Sequence, residues 1–356
     1  MILFRYLTRE LLTTMAAVTL VLLMIMMSGR LIQQLASAAA GEISLQVVFM
    51  ALVLRMPSFL EMILPMALFI SILLAYGRMY AENEMTVLTA TGISERRLLG
   101  YTLVTGTVVM VLVGTFSLYL SPLGAQMTED LYRKQAEMTE FELLAPGRFQ
   151  SMKNGSRVTY TESLSDDKTV MNHVFIADGD TLMLAERGSQ YTSPETGSRF
   201  LELHNGKRFD LSPDTAALQV LEFEKYGVKI AEESEERRKV RNDAVPTLEL
   251  FGSEDPKFNA QLQWRFSLIV MVPLLVLIAF PLSKVNPRQG RFARMFPAII
   301  LFMVYISLLI AMRGMLEKSK ITELGVWSLH ALYLVIGLGL MVGPELLRRH
   351  RARRFA

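Results

Sequence analysis

The sequence contains no cysteine, which excludes disulfides, thiolate nucleophiles and cysteine-ligated metals. Histidine is scarce. His173, His204, His330 and His350 stand far apart and form no metalloprotease-like pair, so no metal site is expected. A phosphate-binding loop is missing too, because Gly206-Lys207 has neither the upstream glycine nor the following Ser or Thr that such a loop needs. Nucleophile-elbow and paired-carboxylate patterns are lacking. No catalytic residue is therefore assigned, the chain is not expected to be an enzyme, and any energy for its work is expected from another chain.

Charge is also missing, in six places. Residues 11–29, 62–77, 98–128, 266–283, 295–312 and 324–344 carry no Asp, Glu, Lys or Arg. With their flanks these stretches reach the roughly 20 residues needed to cross a hydrocarbon core. This segregation explains how a chain that is 51% hydrophobic can also be 20% charged, with a mean hydropathy of +0.33. The first stretch follows Arg5 and Arg9 as a signal peptide would. It exceeds the usual 7–15 residue apolar core, however, and lacks a small-x-small cleavage site, so it reads as a retained helix.

Lys and Arg in short loops mark the cytoplasmic side of a membrane. Arg5, Arg9, Arg78, Arg96 and Arg97 lie in one set of loops, with the basic runs 284–294 and 348–354. The opposite loops hold only Arg30, Arg55, Arg313, Lys318 and Lys320. Both termini are thus expected in the cytoplasm and the insert between the third and fourth spans outside it. That insert, 129–263, alternates apolar and polar residues at 157–161, 174–177, 182–185, 200–204 and 218–223, the period of half-buried strands. Asn154-Gly155, Asp178-Gly179 and Asn205-Gly206 read as hairpin turns. An antiparallel sandwich, jelly roll or open barrel is expected. The charged stretch 232–241, with Glu233–Arg237 and Glu235–Lys239 at i,i+4 spacing, suits a short helix or a solvated linker equally.

Four features are candidates for function. The loop 80–97 places Met85 and Leu88 on one helical face, with Glu82 and Glu84 before them and Gly92 as a stop; it suits a short helix docking in a partner's groove or a plain connector. The outward cations Arg30, Arg313, Lys318 and Lys320 suit phosphate or carboxylate recognition, or serve only as snorkelling anchors. Glu61, between Pro57 and Pro65, is an ionisable group within a span. The apolar positions of the insert, among them Val158, Tyr160, Ile176, Leu184, Leu203 and Phe223, form either a packed core or an open roll that holds acyl chains.

Several motifs resemble one family. Pro281-Leu282-Ser283-Lys284-Val285-Asn286-Pro287-Arg288-Gln289-Gly290-Arg291 is similar to the cytoplasmic signature after the fourth helix of the LptF/LptG permeases. Phe4-Arg5-Tyr6-Leu7-Thr8-Arg9-Glu10 resembles their N-terminal interfacial helix, and Glu82-Asn83-Glu84-Met85-Thr86-Val87 with Gly92-Ile93-Ser94 their coupling helix. Ile63-Leu64-Pro65 falls at their helix-two proline. The form of 286–291 is nearer the LptF branch than the LptG branch.

The resemblance implies an α-helical membrane protein with six transmembrane helices and an inserted all-β, jelly-roll-like periplasmic domain. Residues 1–128 would hold spans one to three, with the coupling helix at about 81–95. Residues 129–263 would form the periplasmic domain, and 264–356 spans four to six with a basic tail. It implies a bacterial inner-membrane ABC exporter of lipopolysaccharide, with an LptG-like second permease, an LptB-like ATPase dimer and an LptC-like bridge. ATP and Mg would be used by the ATPase, and this chain would bind no cofactor. Glu82, Glu84, Met85, Leu88 and Gly92 would carry ATPase coupling. Arg30 and Arg313 would lie near bound head groups, with Lys318 and Lys320 as further candidates. The competing readings are an LptG-type paralogue, an exporter of another lipid, and a membrane scaffold that transports nothing.

Overall fold

The computed structural model describes residues 2–39, 43–137, 146–152, 157–165, 170–192, 199–211, 218–229, 241–285 and 294–354. The Asn154-Gly155 turn, the charged stretch 232–240 and the signature residues 286–291 lie outside these. The helices are α1 (Ile2–Ala39), α2 (Leu45–Ala81), α3 (Glu84–Ala90), α4 (Glu95–Thr115), α5 (Ser121–Glu137), a one-turn α6 (Thr247–Leu250), α7 (Pro256–Leu282), α8 (Met295–Glu317) and α9 (Glu323–Arg354). A π-turn, Phe116–Leu120, joins α4 to α5 in one unbroken run. Six helices are long and apolar enough to cross a membrane, and the protein is a multi-pass membrane protein.

The helices extend beyond the charge-free stretches. α1 begins at Ile2, so the motif expected as a separate interfacial helix is continuous with the first span. The third span continues to Glu137, past residue 128. α7 starts at Pro256, where Asp255 caps its first turn by accepting from the Lys257 amide at 2.8 Å. Helix geometry satisfies the backbone whether or not side chains are charged, so helix ends and apolar ends need not coincide.

The chain divides into two compact units, residues 1–28, 54–127 and 240–356, and residues 29–53 and 128–239. In the first, α7 is the central element. It is buried along most of its length and packs against α4, α8 and α9. Phe69 stacks on Phe302 at 5.8 Å, and Tyr76 meets Phe280 edge-on at 6.1 Å.

In the second unit the strands are β1 (Gln150–Met152), β2 (Arg157–Leu164), β3 (Val170–Asp178), β4 (Thr181–Thr192), β5 (Arg199–Leu211) and β6 (Leu218–Lys229). They pair antiparallel in sequence order, as one six-stranded sheet. The β3–β4 hairpin forms at this signal but one residue later than expected: Asp178 pairs with Thr181, and Gly179-Asp180 are the turn residues, with Gly179 at φ 57°. Asn205-Gly206 does not make a turn; it lies inside β5 with Asn205 at φ 51°. His173 in β3 is also left-handed, at φ 50°.

These two residues belong to a row that crosses five strands. Pairing skips Glu162, His173, Glu186, Asn205 and Glu224 while the register on either side is unchanged. Within each strand the inward side chains are then three residues apart instead of two across the row. Met171 and Val174, Ala185 and Gly188, Leu203 and Gly206, and Phe223 and Tyr226 are such pairs. Two successive polar residues point outward, as in a bulge. Because every strand carries the same extra residue, the register survives and one apolar cluster runs the length of the sheet. Asn is among the residues that tolerate left-handed backbone, which is why Asn-Gly serves here as well as in a hairpin.

A Cβ at Gly206 would come within 2.4 Å of the Leu184 carbonyl oxygen and 2.6 Å of the Phe223 ring, so Gly206→Ala is expected to destabilise the protein by about 2 kcal/mol or more. Gly227 has open space around it, and Gly227→Ala is expected to stay within about 0.5 kcal/mol of the parent. Thermal unfolding of the purified protein checks the pair.

Candidate functional site

The segment between α2 and α4 is built from two backbone reversals. Asn83, at φ 66°, turns the chain out of α2, and its carbonyl accepts from the Val87 amide at 3.0 Å. After the two turns of α3, Gly92 at φ 94° ends the helix. Its amide donates to the Thr89 carbonyl at 3.1 Å, and that of Ile93 to the Leu88 carbonyl at 3.3 Å. This is a Schellman stop, with Ile93 and Leu88 in the positions of its apolar contact. Ser94 then caps α4, accepting from the Arg97 amide at 3.4 Å.

Of the expected coupling residues, Met85 is wholly buried and Leu88 packs beside it in the same core. They anchor α3 to its own protein instead of facing outward. Glu82 is exposed and precedes the helix, and Thr86 and Val87 are exposed on it. Glu84 is half-buried, and its Oε2 accepts from the Tyr6 hydroxyl at 2.8 Å. Arg78 pairs with Glu10 at 2.8 Å, and Lys284 with Glu95 at 2.6 Å. α3 is thus held by α1 through Tyr6, and the helix ends that flank it are tied to α1 through Glu10 and to Lys284, two residues past the end of α7.

The outward cations differ from one another. Arg30 is exposed on α1 and donates only to Gln33, at 3.4 Å; no acidic side chain pairs with it among the described residues. Arg313 is held inside. It donates to Gln261 at 2.7 Å and Glu317 at 3.1 Å, with its guanidinium 5.1 Å from the centre of the Trp264 ring. Lys318 and Lys320 are exposed where α8 ends, and Ser319 between them takes the left-handed position of a Schellman stop. Arg55 is not free either, since it pairs with Asp243 at 2.6 Å.

Strand register divides the acyl-path candidates between two faces. Ile176, Leu203 and Phe223 belong to the buried cluster. Tyr160 lies opposite Phe175, which lies opposite Leu184, and these share the other face with Val158. There Phe149 packs at a tilt on Tyr160, ring centres 4.8 Å apart, and meets Phe175 edge-on at 6.0 Å, and Leu184 is 46% exposed. Both faces of this half of the sheet are apolar.

A polar cluster inside the helical unit escapes the sequence reading. Arg265, at the head of the fourth apolar stretch, is 1% exposed. It donates to Thr247 Oγ1 at 2.6 Å and to the carbonyls of Val245 at 2.8 Å and Asp243 at 3.1 Å. Its charge acts on the buried Glu61 of α2, near which lie Ser121 and Ser117 at the π-turn; Ser117 donates to the Arg265 carbonyl at 3.4 Å. Burial alone would raise the Asp243 carboxyl, but Arg55 and Arg241 hold it below its ordinary value, so this ion pair is lost only when the pH falls beneath the usual aspartate range. The charge that ended the apolar run at residue 266 was the available signal. A second cluster joins three helices: His330 bridges Tyr305 and, at 2.9 Å, Ser267.

Arg265→Met removes the donor to Thr247 Oγ1 and to the Val245 and Asp243 carbonyls and takes a positive charge away from the buried Glu61, and is expected to destabilise the protein by about 3 kcal/mol. The double variant Glu61→Gln/Arg265→Met is expected to be less damaged than the single one, as read by thermal unfolding in detergent or nanodiscs.

Comparison with known proteins agrees with this architecture. A family model described as "Lipopolysaccharide export system permease LptF/LptG" matches residues 5–342. The lipopolysaccharide export system permease protein LptF of Escherichia coli K12 is 28% identical over 359 residues, covering 99% of this chain and 98% of that protein. The protein of the same name from Shigella flexneri gives the same figures. A match from residue 5 to residue 342 takes in all six spans and the sheet between them, so the chain belongs to the LptF/LptG family of lipopolysaccharide export system permeases.

Proposed function

We propose that the chain is the LptF-type permease subunit of an ABC exporter that extracts lipopolysaccharide from the inner membrane and hands it to a periplasmic bridge. The family match over nearly the whole chain carries this reading. Its partners in the reading are an LptG-like permease, an LptB-like ATPase dimer and an LptC-like bridge. The ATPase uses ATP and Mg, and this chain holds no cofactor. The loop bias of Lys and Arg supports cytoplasmic termini and a periplasmic sheet. The long edge strand β6, unpaired on its outer side among the described residues, supports a strand-adding partner such as the bridge.

In this reading α3 is the contact with the ATPase. Closure of the ATPase dimer pushes on Glu84 and the exposed side of α3, and the buried Met85 and Leu88 pass that movement into the helical core. Exposure of Arg30, without an acidic partner among the described residues, supports it as a cation for phosphate or carboxylate on the lipid. The internal partners of Arg313 favour a bracing role between α7 and α8, which leaves Lys318 and Lys320 as the exposed cations at that end of α8.

Purification from native membranes in mild detergent is expected to recover an ABC ATPase, a second permease and bound lipopolysaccharide. Recovery of the chain without any ATPase would overturn the reading. Glu84→Ala is expected to lower ATPase recovery or export about tenfold while insertion is unchanged. Arg30→Glu is expected to reduce lipid crosslinking several-fold with assembly intact, and unchanged crosslinking would return Arg30 to an anchoring role.

A further inference from the structure

The first turns of α1 meet α4 through Phe4–Tyr101 and Thr8–Thr105, and one hydrogen bond from there reaches the candidate coupling residue on α3 directly. Leu7 and Leu11 are 1% and 0% exposed, whereas Tyr6 is 42% exposed; α1 therefore buries one stripe and leaves the phenol at the rim. From there the Tyr6 hydroxyl donates to Glu84 Oε2 at 2.8 Å. One turn further along, Glu10 pairs with Arg78 at 2.8 Å, on the last turn of α2 before the Asn83 reversal. The two contacts lie at i and i+4, on one face of α1.

A carboxylate accepts along both oxygens. The phenol occupies one and restricts the side-chain rotation that would otherwise be frozen on binding a cation. No other described side chain donates to Glu84, so Oε1 stays open.

We propose that Tyr6 is a positioning residue for Glu84: its hydroxyl holds one carboxylate oxygen so that the other meets the partner ATPase, and it ties α3 to the base of α1. This rests on the reading of Glu84 as the ATPase contact. Movement of α3 then reaches α1 through the Tyr6–Glu84 hydrogen bond, and movement of the adjoining end of α2 reaches it through the Glu10–Arg78 ion pair. α1 is suited to receive it, because beyond Met15 it has no fully buried residue among those described.

The test uses the full reconstituted complex in proteoliposomes, measuring lipopolysaccharide moved per ATP hydrolysed for the parent, Tyr6→Phe, Glu84→Ala and the double variant. Tyr6→Phe is expected to lower that ratio about five- to tenfold, within the range for the net loss of one typical hydrogen bond. The thermal midpoint is expected to stay unchanged, and the double variant to be no worse than Glu84→Ala alone. A parental ratio in Tyr6→Phe, alongside a lost ratio in Glu84→Ala, would overturn the role of Tyr6 and spare that of Glu84. Normal export by Glu84→Ala would instead overturn the underlying reading. Additive losses in the double variant, or a lowered thermal midpoint with the ratio intact, would make Tyr6 merely structural.

Discussion

A guanidinium enclosed by apolar helices must find acceptors for its five N–H groups and a counter-charge, because the surrounding side chains supply neither. Arg265 meets that demand with two backbone carbonyls, the Thr247 hydroxyl and the charge of Glu61. The requirement orders much around it. It draws the segment 243–247 onto α7, and its charge acts on Glu61 of α2 near the π-turn. A π-turn widens the helix by one residue and often marks a functional position; here it brings Ser117 and Ser121 to one place. The most buried span, α7, thus still holds the polar side chains Gln261, Gln263, Arg265 and Ser267 in its buried part.

The ends of the same helices solve a different problem. Short helices have little stability of their own, and α3 has only seven residues. It is kept in place by one buried methionine, two left-handed backbone positions and charged contacts on either side. The buried stripe at the base of α1 gives way to an exposed apolar surface over most of its length. Only 11% of its most apolar stretch is buried, against 67% for α7. In hydrocarbon this exposure carries no hydrophobic penalty, since lipid tails are as apolar as leucine.

The sheet shows how a local rule is read differently in context. Left-handed Asn followed by Gly is the chemistry of a two-residue turn, and it is equally the chemistry of a bulge. The difference lies in whether neighbouring strands carry a matching extra residue. The sheet supplies it in β2, β3, β4 and β6, so β5 runs on. A periodicity of two, read over windows of five residues, located these strands correctly but missed the phase change between their halves.

Charge-free length was enough to reveal six spans and the family's layout, because the cost of exposing backbone and charge to hydrocarbon is paid residue by residue along the chain. Alternation likewise revealed an all-β insert. Which face each strand side chain takes, that Met85 anchors inward, that Arg313 is braced by Gln261 and Trp264, and that Arg265 joins Glu61 were decided only by tertiary structure. Those outcomes depend on groups brought together from distant positions: 61 with 265, 6 with 84, 261 with 313. Hydropathy and periodicity are sums over neighbours in sequence and hold no information about such pairs.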